Sequence, residues 1–308
     1  MSISQDNDKK QIADSAINNL TTWQRTKSQY LLLKSRMQRG LVFTCTTLVS
    51  LLIASNFQPH LLHLIIAPMV TMFISLSIYL LNDIFDIKVD KINHPTRPLV
   101  SGQVRKSDAI GLVVLLSMLA LGLSYAINTI TLLLAVSYLS VGLLYSIPKI
   151  SLKDRFVIKT IAIAIGGFLT SVIGSSTTGM FDEKTIVSAI SFMMLIFVTS
   201  PINDLADYVG DKNNGRRTIP IVIGQRNTVV MAMVIPFAIA LLFWCFYENW
   251  NFNIVTPIAL TLLAVISFFI LKPLFVKMND YKYVRKRHKS AVFLHYGLQI
   301  ALVIGILM

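Results

Sequence analysis

Long apolar runs separated by short polar loops make up nearly all of the chain after about residue 40. A membrane-spanning helix needs roughly 20 mostly apolar residues, within a range of about 17–25. Because lipid offers the backbone no hydrogen-bond partner, such runs are predicted to be helices. Nine runs qualify, with expected bounds at 41–57, 61–82, 108–127, 129–147, 157–175, 185–202, 228–247, 254–271 and 289–308. The predicted fold is therefore an all-α integral membrane bundle of about nine transmembrane helices around a central cavity.

The composition supports a membrane protein. Only 14% of the residues are charged and 54% are hydrophobic, and the mean hydropathy is +0.65, whereas soluble domains are nearer 25% charged. Residues 1–30 are polar and are predicted to form a loose tail or a surface helix. Residues 31–308 are then expected to form a single membrane domain.

The lysines and arginines are distributed very unevenly between the two sides of the predicted bundle. One side carries 27 of the 28, in residues 1–40, 83–107, 148–159, 203–227 and 272–289. The other side has only Lys184. Such an excess marks the cytoplasmic side, so the N-terminus is predicted to be cytoplasmic and Met308 external. The same distribution attributes the net charge of +13 to topology in a lipid bilayer, not to nucleic-acid binding.

Six of the 15 acidic residues fall into two motifs with the same residue types and spacing, 121 positions apart. Motif 1 reads Asn82-Asp83-x-x-Asp86-x-x-x-Asp90, and motif 2 reads Asn203-Asp204-x-x-Asp207-x-x-x-Asp211. Each follows an even-numbered span, so both are expected on the cytoplasmic side. The spacing is predicted to place the three carboxylates of a motif on one helical face.

Carboxylates grouped in this way need a cationic partner. Two of them about 4 Å apart repel by roughly 4 kcal/mol at an effective dielectric near 20. Oxygen ligands suit Mg²⁺, which binds one or two carboxylates together with waters and substrate phosphate. The motifs predict two or more Mg²⁺ ions, held by all six aspartates and clamping a diphosphate. The simpler interpretation is that these aspartates are solvated helix ends balanced by nearby lysines. It is less favoured because the same spacing of aspartates occurs twice on the same side of the membrane.

The loops after the motifs contain candidate phosphate ligands among Pro and Gly residues. Arg97, Arg216 and Arg217 have guanidinium groups that can donate forked hydrogen bonds to phosphate oxygens. Asn82 and Asn203, which begin the motifs, are also candidate substrate ligands. The alternative for the arginines is anchoring at the membrane surface.

A third cytoplasmic loop follows the fourth span. Its Lys149 and Lys153 are predicted to contact phosphate or lipid headgroups, and Tyr145 to face the cavity or the membrane interface. Arg36 and Arg39, which precede the first expected span, are assigned to membrane anchoring.

Two other features of the cytoplasmic side are given no role in the site. The basic stretch 282–289 is predicted to contact anionic lipid beside the last span. His94 is interpreted as a single exposed loop histidine without a metal role.

These residues resemble the UbiA superfamily of intramembrane prenyltransferases. The resemblance covers most of residues 30–308 in layout, and nine spans fit it. It rests on motif 1 running into Arg97-Pro98-Leu99-x-Ser101-Gly102, on motif 2 with Gly210, Gly215, Thr218 and Pro220, and on Tyr145-Ser146 followed by Leu152-Lys153.

The resemblance implies a polyprenyl diphosphate donor that Mg²⁺ bridges to both motifs. By matching positions it places the metal and diphosphate site at Asn82, Asp83, Asp86, Asp90, Asp204, Asp207 and Asp211. Asp83, Asp86, Asp204 and Asp207 are the expected catalytic residues. The metal makes diphosphate a good leaving group, apolar helices exclude water from the allylic cation, and an electron-rich acceptor attacks it.

The acceptor is less closely defined. The run from Asp90 to Pro98 is closer to geranylgeranylglyceryl-phosphate and chlorophyll-type members than to the hydroxybenzoate type. The predicted function is transfer from a polyprenyl, for example geranylgeranyl, diphosphate to a lipophilic aromatic or isoprenoid glyceryl-phosphate acceptor, in quinone or ether-lipid biosynthesis. Donor length, acceptor and oligomeric state stay open.

The alternative function is a membrane transporter or ion-coupled carrier with paired acidic sites, because intramembrane acids and repeats also mark transporters. Carriers place such acids near the midplane of the bilayer. Here the acids lie at one end of the spans, beside loops suited to phosphate.

Overall fold

The computed structural model of the protein describes residues 22–179 and 181–308. Within these ranges the chain is helical and has no β-strand. Residues 1–21 of the predicted polar tail lie outside the described residues. Residues 22–30 of that tail belong to the first helix.

Nine long segments of the described chain are long and apolar enough to cross a membrane, as predicted. The protein is therefore a multi-pass membrane protein. The helices that contain these segments are α1 (Thr22–Ala54), α2 (Leu61–Phe85), α4 (Lys106–Ile127), α5 (Thr129–Ser146), α6 (Ile158–Ser176), α7 (Glu183–Ala206), α10 (Gln225–Phe246), α11 (Val255–Leu271) and α13 (Tyr281–Leu307).

Short helices lie in the connections. They are α3 (Ile87–Asn93), α8 (Tyr208–Asn213), α9 (Ile219–Val222), α12 (Leu274–Lys277) and a 3₁₀ turn at Leu152–Asp154. Two of them, α3 and α8, contain the last aspartates of motifs 1 and 2.

The first and last spans begin earlier than the apolar runs indicated. α1 starts at Thr22 instead of residue 41, and α13 starts at Tyr281 instead of residue 289. In both extensions buried residues alternate with polar ones: Leu32 and Val284 are buried, while Lys34 and Lys282 are exposed. A criterion based on continuous apolar runs does not detect helix with one polar face.

The helices of the described chain pack around several hydrophobic clusters, and two of these show how the halves of the bundle are built. In one half, α2, α5 and α6 meet around Ile74, Tyr138 and Ile173. In the other half, α7, α10 and α13 meet around Phe192 and Phe243, together with Leu298. Helix α1 packs against α2 and α6 and also contacts α13, so it joins the two halves.

Helix α6 is the most deeply buried span. It approaches α7 closely at Gly167, where a Cβ would lie 2.1 Å from Cδ1 of Ile196. Hydroxyl groups tie α6 to α1, since Thr47 Oγ1 donates to Thr170 O at 2.8 Å. This packing fixes the first turn of α6, where Lys159 lies beside motif 2.

Candidate functional site

Both motifs break their helix at the middle aspartate. Asp86 separates α2 from α3 with φ −95° and ψ 11°, and Asp207 separates α7 from α8 with φ −103° and ψ 9°. These angles fall in the sparsely populated bridge region, where many active-site residues lie. The prediction that each motif presents three carboxylates on one continuous helical face is therefore wrong. Each motif turns a corner at its second aspartate.

The two motifs meet through their short helices. α3 packs against α8, and a Cβ on Gly210 would lie 2.3 Å from Asn93 Oδ1, so any larger residue there would have to displace the Asn93 side chain. Arg216 joins the motifs directly: it forms an ion pair with Asp86, and its Nη1 lies 3.2 Å from Asp211 Oδ1. The structure thus links the two motifs through a shared basic side chain. The region between them, bounded by the six aspartates and their basic partners, is called the chamber.

The first and third carboxylates of motif 1, Asp83 and Asp90, share Arg97, and Asp83 also binds Arg36. Arg36 Nε donates to Asp83 Oδ2 at 2.7 Å, and a second hydrogen bond joins the same two groups. Arg97 Nη1 lies 2.9 Å from Asp83 Oδ1 and also pairs with Asp90. Arg36 is only 4% exposed. Its assignment to membrane anchoring is therefore wrong, because its polar helix face is turned into the bundle and not towards lipid.

The middle carboxylate of motif 1 is held from two other loops. Lys153 Nζ lies 2.7 Å from Asp86 Oδ1 and 3.3 Å from Asn82 Oδ1. Arg216 pairs with the same carboxylate and donates to Asp154 Oδ1 at 2.9 Å. These contacts connect the 3₁₀ turn and the loop after motif 2 to motif 1.

Motif 2 has a different set of partners. Lys159 Nζ lies 2.6 Å from Asp204 Oδ1 and 3.5 Å from Asp211 Oδ2. At Asp207, Oδ1 lies 2.8 Å from Nη2 of Arg285, on the first turns of α13.

His94, from the loop after motif 1, also reaches motif 2. Its Nε2 lies 3.3 Å from Asp207 Oδ1, and its Nδ1 lies 2.6 Å from Arg285 Nη1. His94 is half-buried, so its interpretation as an exposed loop residue is wrong. The lipid contact predicted for 282–289 is also wrong for Arg285, whose position on α13 turns it into the site.

Burial and ion pairing act in opposite directions on the carboxylates at the helix breaks and in the short helices. Burial raises the pKa of Asp90 to about 6 despite the nearby Arg97. Burial also opposes ionisation of Asp86, but Arg216 and Lys153 outweigh it and lower the pKa of Asp86. The pKa of Asp207 is likewise held below its usual range, because contact with His94 and the charge of Arg285 outweigh burial. Asp86 and Asp207 are therefore ionised at neutral pH.

Of the four remaining predicted ligands, Asn203 and Tyr145 lie at the site, whereas Lys149 and Arg217 do not. Asn203 Oδ1 lies 3.3 Å from Arg39 Nη2, which places Arg39 in the chamber and not at the membrane surface. Tyr145 lies in the electric field of Lys159, Asp204, Arg216 and Asp86.

Lys149 and Arg217 are not brought to the chamber. Their side chains are exposed and form no ion pair with any described residue. Arg217 instead donates its backbone N–H to Asp154 O at 3.2 Å. Arg216, its neighbour, reaches the position that was predicted for Arg217. The chain turns at Gly215, with φ 70°, so that the side chains of Arg216 and Arg217 point in different directions.

Sequence reasoning missed five residues of the site: Arg36, Arg39, His94, Lys159 and Arg285. Lys159 carried a usable signal, because it is the one charged residue in the sequence of α6, and a lone charge in a spanning helix indicates a functional site. The others pair with residues from 47 to 191 positions away. No local pattern predicts such partners.

The carboxylates fit a divalent cation through two of their oxygens. Among the described residues no three His, Cys, Asp or Glu side chains are grouped as metal ligands, and each of the six aspartates is paired with Arg or Lys. Even so, Oδ2 of Asp204 and Oδ2 of Asp211 are buried and accept no hydrogen bond. Leaving a buried carboxylate oxygen unsatisfied is costly, and hard oxygen atoms of this kind are what Mg²⁺ binds.

An apolar cavity of about 230 Å³ lies between α6, α7 and α10. An apolar cavity of about 150 Å³ is enough to bind benzene. Phe197 is seven residues before Asp204 on α7, which corresponds to about 10 Å along the helix. The cavity is lined by Ile161, Ala164, Met193, Met194, Phe197 and Ile235.

Comparison with known proteins accounts for this arrangement. Residues 43–296 match the model of the UbiA prenyltransferase family. The chain belongs to the UbiA prenyltransferase family. As a member it is a prenyltransferase, and the resemblance noted from the motifs is confirmed.

Curated relatives in the family include two archaeal digeranylgeranylglyceryl phosphate synthases. The protein from Methanosphaera stadtmanae is 26% identical over 72% of this chain and 79% of its own length. The protein from Methanocaldococcus jannaschii is 29% identical over 68% of this chain and 74% of its own length.

Solved structures share the fold. One, described as a digeranylgeranylglyceryl phosphate synthase in membranes, has a TM-score of 0.68 and 24% identity, and covers 92% of this chain and 99% of that one. A UbiA homologue from Archaeoglobus fulgidus bound to GPP and Mg²⁺ has a TM-score of 0.65 and 18% identity, and covers 89% and 100% of the two chains. The predicted all-helical membrane fold is thus confirmed.

Proposed function

We propose that this protein transfers a prenyl group from a polyprenyl diphosphate, such as geranylgeranyl diphosphate, to an isoprenoid glyceryl phosphate. The observation that carries this proposal is the meeting of motifs 1 and 2 around one chamber, joined by Arg216. Two relatives named digeranylgeranylglyceryl phosphate synthase support the acceptor class. The A. fulgidus homologue bound to GPP and Mg²⁺ supports the donor class and the metal.

The six aspartates are the proposed ligands of two or more Mg²⁺ ions and, through them, of the diphosphate. When bound, Mg²⁺ neutralises charge on the diphosphate and makes it a better leaving group. Asp83, Asp86, Asp204 and Asp207 are the proposed catalytic carboxylates, and Asp90 and Asp211 complete the two sets.

Basic side chains that now hold the carboxylates are the proposed phosphate ligands. Arg97, Lys153 and Arg216 lie within hydrogen-bond distance of motif 1 and come from three different loops. Charge-assisted hydrogen bonds from Arg and Lys to phosphate are short and strong. These side chains would orient the diphosphate so that its bond to the prenyl carbon faces the apolar interior.

The apolar cavity suits the donor chain. Its lining atoms are apolar, and its Phe197 lies about two helical turns before Asp204 on α7, so a prenyl chain held at motif 2 would extend along α7 towards it. Ile161, Phe197 and their neighbours would exclude the water that otherwise quenches an allylic cation.

A charged acceptor suits the basic side chains of the site. Six basic side chains pair with the six aspartates, and Arg39 lies beside Asn203 without an acidic partner among the described residues. A phosphate monoester brings a charge of about −1.5 to −2, which these residues can neutralise. An aromatic acceptor of the quinone type remains the second candidate of the sequence analysis.

The orientation in the membrane is also proposed. The excess of Lys and Arg around the motifs favours a cytoplasmic N-terminus, a cytoplasmic active site and an external C-terminus. Residues 31–308 would form the one catalytic domain.

The acceptor is tested with purified protein in detergent, Mg²⁺ and geranylgeranyl diphosphate. We expect prenyl transfer and diphosphate release with geranylgeranylglyceryl phosphate, and loss of both with EDTA. Faster transfer to hydroxybenzoate or dihydroxynaphthoate would contradict the proposed acceptor. Ion flux across liposomes without diphosphate release would instead indicate a carrier.

The two lysines of the third loop should behave differently. Lys153→Met is expected to lower kcat/KM for the donor by about tenfold to a hundredfold, because a hydrogen bond to a charged group contributes about 1.5–3 kcal/mol. Lys149→Met removes the same charge from an exposed position and should stay close to the wild type. Equal losses in the two variants, measured with radiolabelled donor, would show that only the charge of the loop matters.

A further inference from the structure

Lys159 is placed inside the second carboxylate group and not at the membrane surface. It is the second residue of α6 and the one charged residue in the sequence of that helix. Its side chain is buried, and the residue as a whole is 7% exposed. Helix α6 is packed against α1 and α7, so Lys159 cannot reach lipid headgroups without a large movement of its helix.

The ammonium group lies between two carboxylates that the proposed function assigns to divalent cations. Lys159 Nζ is 2.6 Å from Asp204 Oδ1 and 3.5 Å from Asp211 Oδ2. Within the described residues no other basic side chain forms an ion pair with Asp204. An ammonium group is a compact point charge, so Lys159 occupies the kind of position that a small cation would take.

Motif 1 has a comparable cation at its first aspartate. There Arg36, from the helix before the motif helix, binds Asp83, just as Lys159, from the helix before α7, binds Asp204. The repeat therefore supplies each first aspartate with a buried cation from the preceding helix. The two differ in shape, since the guanidinium of Arg36 is broad and planar whereas the ammonium of Lys159 resembles a metal ion in size.

Displacing Lys159 from this position would be unfavourable. Because Lys159 is only 7% exposed, an ammonium group moved away from Asp204 and Asp211 would be a buried charge without its partners. A charge separated from its partner in such surroundings has a large desolvation cost. A divalent ion that enters motif 2 is therefore expected to bind beside Lys159, through the Oδ2 atoms of Asp204 and Asp211, which accept no hydrogen bond, and not to replace it.

We infer that Lys159 is a resident monovalent cation of motif 2 that takes the place of one divalent ion. It is a positioning residue: it holds Asp204 and Asp211 together while their free oxygens bind metal. The inference rests on the proposed function, because it requires divalent cations at the motifs. It follows that removing the ammonium group creates one additional divalent site.

The test counts Mn²⁺ ions by electron paramagnetic resonance. Wild type, Lys159→Met and Lys159→Gln are purified in detergent with Mn²⁺ present and titrated with Mn²⁺ in the presence of pyrophosphate. Both variants are expected to bind one more Mn²⁺ per chain than the wild type. Their thermal unfolding temperature should also rise more on adding Mn²⁺, because the new site stabilises the folded state by mass action.

Two controls separate the position from the charge. Lys159→Arg keeps a cation at the site and is expected to bind the wild-type number of ions. Lys212→Met removes an exposed lysine next to Asp211 and should also leave that number unchanged. An additional ion in Lys212→Met would mean that net charge alone sets the count, and the inference would be wrong.

The remaining outcomes are distinct. Lys159→Met and Lys159→Gln could bind the same number of ions as the wild type, or neither variant protein could be obtained in folded form even when Mn²⁺ is present. In either case a divalent ion cannot substitute for the ammonium group, and the inference is overturned. If the wild type binds no Mn²⁺ with pyrophosphate, the proposed function itself fails.

Discussion

Replacing Asp86 or Asp207 by Asn should lower prenyl transfer by about a hundredfold to a thousandfold. These residues occupy equivalent positions, at the break of α2 and at the break of α7. The pKa of each is held below its usual range by neighbouring basic groups, so each contributes a full negative charge. Asn preserves the shape of the side chain but removes that charge, and losing one well-placed electrostatic contact in an active site typically costs this much in rate.

The measurement is the rate of diphosphate release and product formation in detergent, at saturating Mg²⁺. Asp108→Asn is the matched control: Asp108 is outside both motifs and pairs with Arg105 at 3.0 Å on the first turn of α4. It should retain nearly full activity. If Asp86→Asn and Asp207→Asn both keep more than a tenth of wild-type activity, the carboxylates are not the site of metal and diphosphate binding.

Arg36→Met is expected to cause the largest loss of stability. Arg36 and Asp83 form a buried ion pair with two hydrogen bonds. Removing one partner of a buried pair leaves an uncompensated charge and costs about 3–5 kcal/mol. Because Arg97 still contacts Asp83, we expect a loss near the lower end of this range.

Thermal unfolding in detergent, followed by tryptophan fluorescence, measures this loss. Lys34→Met is the control, since Lys34 lies half a turn away on α1 and is exposed. The double variant Arg36→Met with Asp83→Asn should recover much of the stability, because it removes both charges together. Equal unfolding temperatures for Arg36→Met and Lys34→Met would place Arg36 at the membrane surface after all.

The sequence is most informative where the physical requirement is local. A span in lipid must be helical and apolar over about 20 residues, so seven of the nine spans could be placed with only small errors at their ends. The repeated spacing of the aspartates also predicted which acids belong together. It did so because like charges are grouped only where a cation or substrate compensates for them.

The sequence is least informative where the partner is distant. Arg36, Lys159 and Arg285 each pair with an acid in a helix far along the chain. The local surroundings of Arg36 and Arg285 look like ordinary basic ends of spans, and the position of Lys159 in α6 does not name its partner. The choice between Arg216 and Arg217 depends on one turn, and the break at Asp86 does not follow from helical periodicity. Such features come from tertiary packing, which one sequence does not reveal.

The central claim is that both aspartate motifs bind one metal–diphosphate group together. Manganese anomalous diffraction from crystals grown with Mn²⁺ and a thiolodiphosphate analogue of the prenyl donor tests it most directly. We predict Mn²⁺ peaks within coordination distance of Asp86 in motif 1 and of Asp207 or Asp211 in motif 2, with the diphosphate between them. Mn²⁺ and diphosphate bound to one motif alone, or away from both, would contradict the account.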